Sequence, residues 1–60
     1  MADEVLTTKQ AADYLKVSVS TLEHWRLRRQ GPRGFRVGVQ WRYSLDSLRA
    51  YVRELEAMVS

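Results

Sequence analysis

VSVSTLEHWRLRRQGPRGFRVGVQWRY, residues 17–43, changes its hydrophobic period once, and that change decides the fold. In the first half, Val17 precedes Ser18 and Leu22 stands four residues beyond the serine. An apolar residue, a hydroxyl cap and a second apolar residue one turn into a helix form the signature of a stapled N-terminus. Leu22 and Trp25 mark a buried face, and Gly31-Pro32 is a strong stop, so a helix is predicted to end near Gln30. From Phe35 to Tyr43 the period falls to two. Phe35 and Val37 flank Arg36, Trp41 and Tyr43 flank Arg42, and Gly38, Val39 and Gln40 supply the tight connection of a β-hairpin. This alternation predicts a largely aromatic face opposite a face carrying arginine.

Working outward, the same helix-start device occurs on both sides. Leu6, Thr7 and Ala11 repeat it, and Gln10 completes a capping box, predicting a helix from about Thr8 to Leu15 with Ala11, Ala12 and Leu15 inward. The very short link to the second helix predicts a steep crossing, as in a helix-turn-helix. Tyr43, Ser44 and Leu48 open a third helix, buried through Leu45, Leu48, Tyr51, Val52 and Leu55 and ending near Ala57. The expected architecture is mainly α with a small β-hairpin wing: a winged helix-turn-helix in a single domain, residues 1–60.

Composition narrows the function. A 60-residue chain has little room for a deep substrate pocket. With no cysteine and one histidine, thiolate nucleophiles and the usual structural zinc sets are excluded. Neither paired catalytic carboxylates, nor a serine-histidine-acid set, nor a glycine-rich phosphate loop is present, so the expectation is a non-enzyme without cofactor or metal. No apolar run approaches the roughly 20 residues of a membrane span, and Met1–Leu6 is acidic rather than a basic export signal. A cytoplasmic protein without a membrane partner is expected. Trp25, Trp41, Tyr43, Phe35 and Tyr51 read as core rather than as a stacking platform for single strands.

The net charge of +3 is unevenly distributed. Residues 24–45 contain Arg26, Arg28, Arg29, Arg33, Arg36 and Arg42 and no acid, whereas the segments on either side are net acidic. Guanidinium forks suit phosphates and base edges, so the partner expected is double-stranded DNA. On the second helix Ser20, Glu23, His24 and Leu27 lie opposite Leu22 and Trp25, flanked by Thr21, Arg26 and Arg28, and form the candidate major-groove reading surface. Glu23 either accepts from a cytosine amino group or pairs with Arg26; His24 either contacts DNA or stands idle. Arg33, Arg36, Gln40 and Arg42 are the candidate wing contacts, and Thr8 and Lys9, at the start of the first helix, a candidate phosphate contact. Arg49 and Arg53 pair with Asp46, Glu54 or Glu56 on a solvated face.

Leu6-Thr7-Thr8, Ala11-Ala12-Asp13-Tyr14-Leu15, Val17-Ser18, Ser20-Thr21-Leu22, Trp25, Gly31-Pro32, Val37-Gly38, Trp41-Arg42-Tyr43 and Leu48 together resemble the winged helix-turn-helix domains of the excisionase and MerR-related group. The resemblance spans about Leu6 to Val52. It implies a second helix in the major groove and a wing on the adjacent minor groove or backbone. MerR-type members carry a long dimerisation helix and an effector domain, for which a chain stopping at Ser60 leaves no place. The expectation is therefore a phage-type excisionase, a recombination directionality factor. Such proteins bend attachment-site DNA beside neighbouring copies of themselves and turn an integrase toward excision, with no small-molecule effector. The alternatives are a small MerR-like transcriptional regulator and a protein interaction module.

Overall fold

The computed structural model describes residues 4–59; the two ends of the expected domain, residues 1–3 and 60, lie outside them. The elements are β1 (Val5–Thr7), α1 (Thr8–Leu15), α2 (Val19–Leu27), β2 (Gly34–Val37), β3 (Gln40–Ser44) and α3 (Leu45–Val59). Strands β2 and β3 form the wing, and β1 joins the other edge of β3, giving an antiparallel sheet in the order β1-β3-β2. Three helices on this sheet are a winged helix-turn-helix.

All three helices start as the residue pattern dictates. Thr7 accepts from the Gln10 amide while the Gln10 side chain accepts from the Thr7 amide, a complete capping box. Ser18 accepts from the Thr21 amide at 3.0 Å, and Ser44 from the Ser47 amide at 3.1 Å. Thr7 and Ser44 are each both the last residue of a strand and the cap of the next helix, so β1 and β3 run into α1 and α3 without a loop. Leu6, Ala11, Ala12, Leu22, Tyr43 and Leu48 form the buried core, with Leu15, Val17, Trp25 and Leu45 packed against it. Each large side chain so buried contributes roughly 1.5–3 kcal/mol of apolar transfer. The alanines let α2 approach α1 closely.

Four expectations need correction. Strand β1 has no counterpart in the residue pattern, because three residues are too few to show a period. Its extended state is set by pairing Leu6 with Tyr43 and Thr7 with Arg42. Helix α2 stops at Leu27 rather than near Gln30. The Arg29 amide donates to the Arg26 carbonyl and the Gln30 amide to the Trp25 carbonyl, a Schellman closure with Arg29 left-handed at φ 58°. The same closure ends α1, through Lys16 at φ 60° and the Val17 amide on Ala12. Gly31 therefore does not end α2; it turns the chain afterwards, at φ 74° and against Trp25. Finally, α3 runs on to Val59, and Leu55, expected inside, is 43% exposed because the core ends near Val52.

The fourth correction changes the wing. Only Gly38 and Val39 lie in the turn, so Val37 faces Gln40, Arg36 faces Trp41 and Phe35 faces Arg42. A three-residue connection would have aligned the aromatic residues with one another. With two, the register moves by one and every side chain of one strand changes face relative to that reading. Each face of the hairpin now carries one arginine. Phe35, Val37, Gln40 and Arg42 share the outer face, and Phe35 is 43% exposed rather than core. Gly34, Arg36, Trp41 and Tyr43 share the inner one, where a Cβ on Gly34 would lie 2.9 Å from the Tyr43 ring.

Candidate nucleic-acid interface

Between α2 and the wing lies an open groove of about 490 Å³. Thr7, Thr8 and Lys9 at the start of α1 close one end, Val19, Glu23 and Arg26 of α2 form one wall, and Val39, Gln40, Trp41 and Arg42 of the wing form the other. Ser20, Glu23 and His24 are exposed on the free side of α2, and Leu27 is 82% exposed one turn beyond His24. Their spacing gives one continuous solvent face.

Several predicted contact residues have local partners. The Thr21 hydroxyl accepts from the Ser18 hydroxyl at 2.8 Å, so it belongs to the α2 cap and is half-buried. The Arg26 guanidinium sits 4.6 Å from the centre of the Trp41 ring and donates to the Tyr43 hydroxyl at 3.4 Å. It is thus directed at β3 and away from a pairing with Glu23. Arg42 donates to the Gln40 side chain at 2.6 Å and to the Trp41 carbonyl at 2.9 Å, which orders its guanidinium and leaves further N–H donors for a ligand.

The six arginines do not converge on a single groove. Arg26 and Arg42 line the groove between α2 and the wing, whereas Arg29 and Arg33 line a second hollow behind the Arg26–Trp41 contact. Arg28 caps α2 and Arg36 lies across from Trp41, both exposed and on neither wall. Val19 and Val39, which charge and polarity could not single out, line the groove; Val39 is 86% exposed at the wing tip. The one available signal is that Val19 lies a turn before Glu23.

With this fold and groove in place, the sequence of residues 5–56 matches the family model of a helix-turn-helix domain. The chain belongs to that family. It includes small, excisionase-like DNA-binding proteins, so the helix-turn-helix domain is of a DNA-binding class. No curated protein matched the chain. Among the described residues of the domain, no helix is long and apolar enough to cross a membrane, and no three His, Cys, Asp or Glu side chains gather as a metal site.

Proposed function

We propose that this helix-turn-helix protein is a double-stranded DNA-binding architectural factor of the excisionase type. It acts as one domain in the cytoplasm, without cofactor or catalysis. Helix α2 reads the major groove through Ser20, Glu23 and His24, Arg28 meets phosphate beside it, and Leu27 offers an apolar contact for a thymine methyl. The wing meets the backbone or minor groove through Arg42, Gln40 and Arg36, while Thr8 and Lys9 hold a phosphate. By bending the duplex, the protein biases an integrase toward excision, with neighbouring copies side by side on repeated sites.

One observation carries this reading. The capped α2 and the wing form the two walls of a groove in which Lys9, Arg26 and Arg42 face a single acid, Glu23. Selection of bound duplexes from a random pool, followed by end-to-end energy transfer on the selected sequence, tests it. The expected result is tight binding whose logarithm falls against log salt with a slope of about −4 to −5, as for roughly five neutralised phosphates. A shortened end-to-end distance is expected on binding. A straight bound duplex would overturn the architectural role, and a salt-independent affinity would overturn DNA binding itself.

A further inference from the structure

The hollow behind the Arg26–Trp41 contact has a volume of about 380 Å³ and is built by the turn from α2 to β2. Arg26, Arg29 and Arg33 line it together with Trp41, and no acidic side chain does. Three arginines lining one concavity without a carboxylate form a field that favours an anion, and the planar fork fits phosphate oxygens. We infer that this hollow is a second phosphate site, in which Arg29 and Arg33 grip one backbone phosphate of the bound duplex. It rests on the DNA-binding reading and extends the footprint beyond the groove between α2 and the wing.

The end of α2 sets Arg29 beside this hollow. The Arg29 backbone is left-handed at φ 58°, the position that closes α2 as Lys16 closes α1. This closure leaves the arginine exposed at the rim of the hollow. The amides of Arg28, Arg29 and Gln30 all donate to carbonyls of α2, so at this helix end the Arg29 side chain, not these amides, is the donor left for an anion. Arg33 also lines a smaller cavity toward α3 that includes Glu54, which makes Arg29 the cleaner probe.

The geometry permits a test that folding cannot confound. Arg29→Gly removes the guanidinium and relieves the left-handed strain, so the variant folds at least as well as the parent. Lys16→Gly, at the matching position after α1 and on neither concavity, removes one charge and the same strain and serves as the control. Duplex binding is followed by fluorescence anisotropy across a salt series, with thermal melts alongside. Arg29→Gly, and separately Arg33→Gln, should each weaken binding about tenfold, as for a charge-assisted hydrogen bond. The double variant should lower the salt slope by about 0.9, one phosphate, while Lys16→Gly changes neither quantity appreciably. Unchanged affinity and slope in the double variant, with the parent binding duplex in a salt-dependent way and Arg42→Ala weakening that binding, would overturn the second site and leave the groove intact. A parent without salt-dependent duplex binding would instead overturn the reading beneath it. A free phosphate is the other source of this chemistry. Quenching of tryptophan fluorescence by inorganic phosphate that is lost in Arg29→Gly, with duplex affinity unaffected, would overturn the assignment to backbone phosphate.

Discussion

Arg26 of α2 stacks on Trp41 of β3, its guanidinium 4.6 Å from the ring centre, and the same group donates to the Tyr43 hydroxyl. One side chain thereby ties the reading helix to the strand that carries the wing. Lysine keeps the charge but not the planar fork, so Arg26→Lys should cost about 1 kcal/mol of stability. A thermal melt checks the cost, and near-ultraviolet circular dichroism should show a weakened tryptophan signal. An unchanged dichroism spectrum would mean that the contact does not order Trp41.

Gly31 combines a positive φ of 74° with a site where a Cβ would lie 2.8 Å from Trp25 Cε3. Trp25 is held in turn by Tyr51, ring centres 6.0 Å apart, and has little freedom to yield. Gly31→Ala should therefore destabilise by about 2 kcal/mol or more, read as a lower denaturant midpoint. A midpoint equal to the parent's would show that the turn and Trp25 can move together.

Lys16 occupies the left-handed position that closes α1, where glycine is at ease. Lys16→Gly should raise stability by up to about 1 kcal/mol, equivalent to roughly 4–8 °C in a domain of this size. Calorimetry decides; a fall in melting temperature would argue that the lysine stem packs on the turn.

The two walls of the groove should respond differently to substitution. Arg42, ordered by Gln40 and the Trp41 carbonyl, is a phosphate contact in the proposed complex, so Arg42→Ala should weaken all duplexes alike. Ser20→Ala and His24→Ala, on the exposed face of α2, should instead re-rank the preferred sequences. Competition binding against a panel of duplexes separates the two patterns, and a sequence-dependent loss in Arg42→Ala would move that residue to the reading surface.

Much of this was legible without coordinates. Thr7, Ser18 and Ser44 announced all three helix starts, because a cap and its staple are local and lie within five residues. Of the predicted reading face of α2, only Glu23 and the flanking Arg26 line the groove; Ser20 and His24 are exposed outside its lining, and Val19, which no charge or polarity marks, takes a place in the wall. The hairpin was visible from its period, but its register was not. Whether Gln40 belongs to the turn or to β3 is a difference of one residue, and period alone cannot count it.

From its residues alone, the chain determined its helix caps, the place where period 3.6 gives way to period 2, and the stretch that holds the positive excess, since each depends on neighbours a turn away or on composition. Tertiary structure alone decided that Val5–Thr7 would be a strand, that Phe35 would face solvent, and that Arg26 would bind Trp41 while Arg29 and Arg33 line a separate hollow. These outcomes depend on partners far apart in the chain, brought together only when the sheet closes over Tyr43 and Leu22.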